Sequence, residues 1–318
     1  MSETQGIAGP TTGPPQTLSE FVGQTKIREN LSVFMAAARG RREPLDHVLL
    51  SGPPGVGKTT LAKIIAREMG GGLRTASVPS LQSKGDIAGI LTSFQPRDCL
   101  LIEDVHRLSS ASQEALRPAM EDYRLEIVIG EGAIARVIKF DLSPFTLIGE
   151  TSRPEALSDG FRALFGIRVR LEPYDVPAMT LILERLAASA KIPIKPEALR
   201  EIALCSGGNP RAAKSFLPRL RDFAQMAGKD LIDLDTARKV LARLVDERER
   251  AIPSDRERIS EEVRIFVWRR DQGKCVRCGS QSRLEFDHVI PVTEGGSSSE
   301  RNIQLLCETC NRSKGSTI

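Results

Sequence analysis

The chain has 318 residues, more than one ordinary domain comfortably fills, so two or three domains are expected. Hydrophobic residues make up 40% and charged residues 27%, which excludes disorder throughout, while a net charge of +4 permits a nucleic-acid partner without demanding one. No apolar run approaches the ~18 residues that span a bilayer, and MSETQGIAGPTTGPPQ lacks a basic segment followed by an apolar one, so a cytoplasmic protein is expected.

In chain order, residues 1–16 are rich in Gly, Pro, Thr and Gln and read as a disordered leader. From 17 to 176, β-type runs at His47–Ser51, Cys99–Val105, Phe145–Gly149 and Arg168–Leu171 alternate with helix-patterned stretches such as Thr59–Met69 and Ser110–Met120. Such alternation predicts an α/β domain with a parallel sheet covered by helices. Two apolar runs, LEIVI and ARVIKFDL, flank Gly130–Ala133 and predict an inserted β-hairpin. Residues 177–246 turn helical, with segments at Ala178–Ala190, Pro196–Cys205, Pro210–Ala227 and Asp235–Val245 and a break at Gly207-Gly208. This predicts a small all-helical domain. A charged linker at 247–262 leads to a loop-rich tail, 263–318, short enough that a structural metal is commonly needed.

The run Gly52, Pro53, Pro54, Gly55, Val56, Gly57, Lys58, Thr59 fits G-x-x-x-x-G-K-[ST] between a strand and a helix continued by Thr60. Glycines let backbone N–H groups approach phosphates, Lys58 supplies a cation to them and Thr59 a hydroxyl to Mg²⁺, so ATP with Mg²⁺ is the expected cofactor. The strand CLLIEDVH ends in Glu103 and Asp104. A P-loop ATPase uses one carboxylate near the metal and a second toward the attacking water. Here Glu103 takes the metal position and Asp104 the water position, the reverse of the expected Asp-then-Glu order. A shift of about 1 Å in each carboxylate can cost ~100-fold in rate.

Residues from about Leu18 to Leu244 resemble the RuvB family of AAA+ motors, which drive branch migration of Holliday junctions. The likeness is carried by LSEFVGQTKIRENL, LDHVLLSGPPGVGKTTLAKIIA, PAMEDYRLEIVIGEGAIAR, PFTLIG and GGNPRAA. It implies that Ser152 stands at the sensor-1 position, that Tyr174 and Pro210 lie near the adenine, and that Arg211 reaches the γ-phosphate from the helical lid. It further implies a homo-oligomer, a hexameric ring, and docking of a RuvA-like partner on the hairpin at 125–139. Two positions depart from the pattern: Leu164 stands where the arginine finger belongs, and Glu150 replaces a small residue. A trans arginine is worth roughly 10³ to 10⁵ in rate, so ATP is expected to be bound and hydrolysed slowly or not at all. Arg162, just upstream, is either a substitute finger or a surface arginine.

Of six cysteines, Cys275, Cys278, Cys307 and Cys310 form two C-x-x-C pairs in the tail. Two such pairs suit a tetrahedral thiolate site for structural Zn²⁺. Cys99 and Cys205 lie in apolar surroundings and read as buried small hydrophobes. The four thiols alone equally suit a zinc knot that only grips DNA or protein. With R-x-x-V-x-x-R-D-x-x-x-C-x-x-C-G, D-H-x-x-P, G-G and N-x-x-L-L-C-x-x-C-N-x-x-K, however, residues 263–314 resemble an HNH endonuclease domain of the ββα-metal kind. By that likeness Asp287 and Asn311 hold a catalytic Mg²⁺ or Mn²⁺, His288 is the general base and Asn302 orients the base or its loop. In the helix VRIFVWRRD, Trp268 with Val263, Phe266 and Val267 is expected in a core. Arg269, Arg270, Lys274, Arg277, Arg312 and Lys314 are candidate phosphate contacts, although the stretch from Ala251 holds eleven basic and ten acidic residues.

The expected protein is thus a RuvB-like ATP-binding module joined to a metal-dependent nuclease acting on DNA, branched DNA included, in recombination, repair or defence. An ATP-driven branch-migration helicase whose tail only binds DNA, and a non-catalytic ATP-dependent assembly platform, are the alternatives.

Overall fold

The computed structural model describes residues 13–129, 136–251, 261–282, 284–290, 297 and 299–314. The chain divides into two compact units, Met1–Leu241 and Ala242–Ile318. Among the described residues no helix is long and apolar enough to cross a membrane.

The first unit is built on five parallel strands: β1 (Val48–Ser51), β2 (Leu73–Ala76), β3 (Cys99–Ile102), β6 (Thr146–Thr151) and β7 (Ile167–Arg170), in the order β2-β3-β6-β1-β7. The short central strands are buried on both faces, which is why they read as continuous apolar runs rather than alternations. Successive side chains still point to opposite sides. Val48, Leu50, Leu101 and Ile148 meet helices α1 (Thr25–Arg41) and α2 (Lys58–Met69), whereas Leu49, Leu100, Ile102 and Leu147 meet α3 (Lys84–Leu91), α4 (Ser110–Glu121) and α5 (Asp159–Ala163). The predicted parallel sheet covered by helices is therefore present. The strand β2, half-exposed and without an apolar run, and helix α3 add its outer edge and part of one face.

The inserted hairpin pairs β4 (Arg124–Ile129) with β5 (Arg136–Asp141) antiparallel, and its turn lies outside the described residues. Helices α6 (Val176–Ser189), α7 (Pro196–Cys205), α8 (Pro210–Met226) and α9 (Leu234–Ala251) follow. The last runs five residues past the expected domain end, because DERERA carries no helix breaker. Cys205 is exposed, not buried: it is the last residue of α7, beyond the buried Ile202 and Ala203.

Residues 1–12 of the expected leader lie outside the described residues, but residues 13–16 are placed. The Gln16 amide donates to Glu20 Oε2 at 2.7 Å, and its side-chain oxygen accepts from Arg67.

The second unit holds α10 (Glu261–Arg270), an antiparallel pair β8 (Leu284–His288) and β9 (Ile303–Cys307), and α11 (Glu308–Lys314). Its core is small: Val267, Ile303 and Leu305 form one cluster, and Cys275, Leu306 and Cys307 another. The expectation that Trp268 and Phe266 join a core is corrected here, since they are 49% and 45% exposed. Val267 is the residue α10 turns inward, and its sequence neighbours project about 100° to either side of it. Trp268 keeps a tilted ring contact with Phe286 at 6.4 Å.

Candidate functional site

In the first unit the strand ends open into a cavity of about 990 Å³, roomy enough for a nucleotide. Its lining includes the predicted residues Pro54, Gly55, Val56, Gly57, Lys58, Thr59, Thr60, Glu103, Asp104, Ser152, Tyr174, Pro210 and Arg211. Gly52 and Pro53 lie behind them. Two glycines are required by space. A Cβ on Gly52 (φ +140°) would fall 2.4 Å from the Leu171 carbonyl oxygen, and one on Gly55 (φ +86°) would fall 2.5 Å from Asn209 Oδ1.

The helical lid closes the loop through Asn209. Its Nδ2 donates to the Pro54 carbonyl at 2.8 Å, while its Oδ1 caps α8 by accepting from Arg211 N and Ala212 N. Arg211 N also donates to Gly55 O at 3.3 Å, which fixes Arg211 beside the loop. Within GGNPRAA, an Asn before Pro at a helix start is the sequence signal that marks Asn209 as the cap of α8. Tyr174 is buried against Gly23, and burial pushes its hydroxyl up to about 12.

Lys58 Nζ donates to Gly52 O at 2.7 Å and Pro53 O at 2.9 Å. Burial lowers its pKa, against the pull of Glu150 and Asp104. Arg107, Arg153, Arg185 and Lys214 also line the cavity, so its cationic character fits a triphosphate. Glu103 and Asp104 follow the end of β3 and are exposed to the cavity, with Asp104 in the left-handed region at φ +49°. Thr59 Oγ1 donates to Glu150 Oε2 at 3.2 Å. Glu150 is 7% exposed, its Oε1 has no hydrogen-bond partner, and burial raises its pKa. Hydroxyl and carboxylate oxygens gathered at the phosphate loop are the donor set that Mg²⁺ takes, and a buried orphan carboxylate oxygen leaves a lone pair for it.

The departure at the arginine-finger position and its neighbour Arg162 have structural counterparts. Leu164 is half-buried and packs onto the core beside Phe161 and Phe165, so it is a packing residue. Arg162 is paired with Asp159 one turn earlier, the arrangement of a surface arginine.

In the second unit the Sγ atoms of Cys275, Cys278, Cys307 and Cys310 all lie within 4.8 Å of one another, with Cys278 and Cys307 at 3.6 Å. Four sulfurs about 2.3 Å from one Zn²⁺ would sit ~3.8 Å apart, so the group fits a tetrahedral zinc site. Burial opposes the Cys275 thiolate, but the backbone N–H groups of Cys307, Cys278 and Arg277 outweigh it and bring the thiol to about 6. Cys310, whose thiol is hydrogen-bonded to the Cys307 and Cys278 sulfurs, is pushed up to about 12.

β8 and β9 pair Asp287 with Gln304 and His288 with Ile303. Alternation puts Glu285 and Asp287 on one face and His288 on the other. Asn311 on α11 donates from Nδ2 to Glu285 Oε2 at 2.8 Å, so α11 brings its amide to the Asp287 face. Asn302 is 8% exposed and tied to the segment after His288. Its Oδ1 accepts from Ile290 N at 2.8 Å, and its Nδ2 donates to Ile290 O and Ser297 O. It holds the loop rather than the imidazole. Arg270 is corrected as a phosphate contact: its guanidinium forms two bonds to Asp271, at 2.7 and 3.0 Å, and two more to the Glu300 and Ile303 carbonyls. The side chains of Arg312 and Lys314 lie outside the described residues.

Residues 14–171 match the family model for the Holliday junction DNA helicase RuvB P-loop domain, 174–246 that for the RuvB AAA lid domain, and 275–317 that for HNH endonucleases. The solved structure of RuvB from Thermotoga maritima, titled a Holliday junction branch migration motor, is 37% identical to this chain. The match covers 80% of this chain and 78% of that one, with a TM-score of 0.64. This chain belongs to the RuvB family. A substituted form of the same Thermotoga maritima RuvB matches at 36% identity over 83% and 82% of the two chains, with a TM-score of 0.66. After its lid this RuvB-family chain carries an HNH domain.

Proposed function

We propose that this RuvB-family chain binds ATP with Mg²⁺ at the P-loop and cleaves DNA phosphodiester bonds with its tail, and that its ATP hydrolysis is slow or absent. The observation that carries the nuclease reading is the hairpin geometry. Asp287 lies on the face reached by Asn311, His288 ends the strand on the other face beside the segment that Asn302 fastens, and a phosphate across the strand end would meet both. A zinc knot needs the four thiols but none of these. In the proposed reaction His288 takes the proton of a water whose oxygen attacks phosphorus, and the bond to the leaving sugar oxygen breaks. Asp287 and Asn311 hold the divalent cation, which when bound stabilises charge on the scissile phosphate. Zn²⁺ on the cysteines keeps the tail folded.

Slow hydrolysis is supported by Leu164 packed against the core and Arg162 paired with Asp159. Nucleotide then serves to assemble copies of the chain, in a ring as the family resemblance implies, and several nuclease tails in one assembly would compensate for a charge of only +4. The hairpin at 125–139 is the surface offered to a RuvA-like partner, and branched DNA in recombination, repair or defence is the proposed substrate.

The test is incubation of the full chain with duplex, forked and four-way DNA, with and without ATP and Mg²⁺. Mg²⁺-dependent cleavage that disappears in His288→Ala is expected. Cleavage unchanged in that variant overturns the assignment, and DNA-stimulated ATPase activity that is lost in Lys58→Ala would instead establish a motor.

A further inference from the structure

Glu150 stands at the C-terminal end of β6, the central strand, registered against Leu50 of β1 and on the same face as Ile148, which packs against α2. That placement drives a carboxylate under the first turn of α2, where Thr59 presents its hydroxyl. One oxygen, Oε2, meets Thr59 Oγ1 at 3.2 Å; the other, Oε1, is buried with no partner. Leaving a charged oxygen desolvated in this way is costly, and such groups are ordinarily paired or bound to metal. The nearby ammonium of Lys58 is directed to the Gly52 and Pro53 carbonyls. Among the described residues, no Lys, Arg or His nitrogen lies within 4.0 Å of the Glu150 carboxylate.

We propose that Glu150 is a direct ligand of the divalent cation at the P-loop, together with Thr59, and that it lets the chain hold this cation before any nucleotide arrives. The inference rests on the nucleotide-binding reading of the cavity. In an octahedral shell with ligands at 2.0–2.1 Å, adjacent oxygens are about 3 Å apart, close to the separation of Glu150 Oε2 and Thr59 Oγ1. The donors are all oxygen, as a hard cation requires, and Glu103 and Asp104 line the same cavity. A P-loop normally lets the nucleotide bring its metal, because the loop offers one hydroxyl and the phosphates supply the charge. Glu150, Glu103 and Asp104 line the cavity beside its lysine and arginine side chains, so the chain itself supplies negative charge that holds a cation before the phosphates arrive. Binding is then ordered, metal and then nucleotide.

The experiment is a titration of the full chain with Mn²⁺ in the absence of nucleotide, following the electron paramagnetic resonance of free Mn²⁺. Asp287→Ala and Asn311→Ala are introduced throughout to silence the nuclease site. About one Mn²⁺ per chain is expected to bind, and both Glu150→Ala and the near-isosteric Glu150→Gln are expected to weaken it by about tenfold or more, since ligand charge sets such affinities. Thermal melting of the Gln variant checks that the fold is kept. No Mn²⁺ binding without nucleotide, or binding unchanged in both variants, overturns the proposal. Binding of an ATP analogue in excess Mg²⁺ to the same preparations separates the two readings. Analogue binding without Glu150-dependent Mn²⁺ binding removes only the ligand assignment, whereas no analogue binding removes the nucleotide reading as well.

Discussion

The two units solve the same problem, holding polar groups in a fixed geometry, by different means. In the first, the site stands on the ends of strands buried on both faces, with residues such as Leu50, Leu101 and Ile148 almost completely enclosed. In the second, two clusters of three buried residues support the hairpin, and two of those six residues are cysteines. A large apolar core fixes a site by packing and tolerates departures such as Glu150 or Leu164; a small one depends on its metal ligands for the fold itself.

Removing the zinc proposed for the four cysteines is therefore the strongest way to test that difference. Binding of structural zinc in small domains is worth about 10–16 kcal/mol, far more than the tail's core supplies. Chelation, or Cys275→Ser, should unfold the second unit and leave nucleotide binding by the first intact. The chain contains a single tryptophan, Trp268, so its fluorescence follows the tail alone, while an ATP-analogue titration follows the P-loop unit. Simultaneous loss of both signals would mean that the units fold as one.

A smaller effect concerns the hydrolytic groups. The double exchange Glu103→Asp with Asp104→Glu restores the expected carboxylate order and should raise ATP turnover by up to ~100-fold. Adding Leu164→Arg should raise it further only if the chain assembles, because a finger acts across a subunit boundary, and it costs some stability because Leu164 packs on the core. Turnover that stays at background after all three changes would place the block elsewhere, with Glu150 the next residue to change.

How much of this was legible beforehand differs between the units for the same physical reason. The glycine loop, the strands beneath it and the four cysteines were readable because each is a local pattern whose spacing carries its own chemistry. Glu150 could be noted as unusual, yet its burial and its bond to Thr59, 91 residues away in sequence, depend on strand order, which sets β6 beside β1. Trp268 and Phe266 were misplaced because apolar content was read without the helical face that only the partner strand defines. Asn302 was found by resemblance, but its work, holding Ile290 and Ser297 by their backbones, appears only in the folded hairpin.

Asn302 gives the next test. As a positioning residue its removal should cost activity without removing chemistry, so Asn302→Ala should lower cleavage by roughly 10–100-fold, as loss of such supporting contacts does around metal sites. Its pH–rate profile should keep the wild-type shape, whereas a variant that acted through the imidazole would shift it. If Trp268 fluorescence showed the tail unfolded in this variant, Asn302 would belong to the fold and not to the site.

The smallest effect distinguishes how the units respond to acid. His47 is buried before β1, where its Nδ1 accepts from the Leu147 amide at 2.9 Å and its Nε2 lies 3.0 Å from the Met120 carbonyl. Those partners fix the neutral tautomer with the proton on Nε2, and burial lowers the pKa below its ordinary 6.5. The unfolded chain then binds a proton more readily than the folded one. This contribution to stability is complete above pH 6.5 and fades as the pH falls through that value toward the lowered folded pKa. His47→Phe should lower stability at pH 7 by about 1–3 kcal/mol, since it leaves a buried N–H and carbonyl unpaired, but it should flatten the acid limb of the melting curve. The tail is also expected to weaken in acid, where protons compete with the proposed zinc for its thiols, so the melt must be followed by the helical circular dichroism that the first unit dominates. An acid limb as steep in His47→Phe as in the wild type would assign the sensitivity to carboxylates instead.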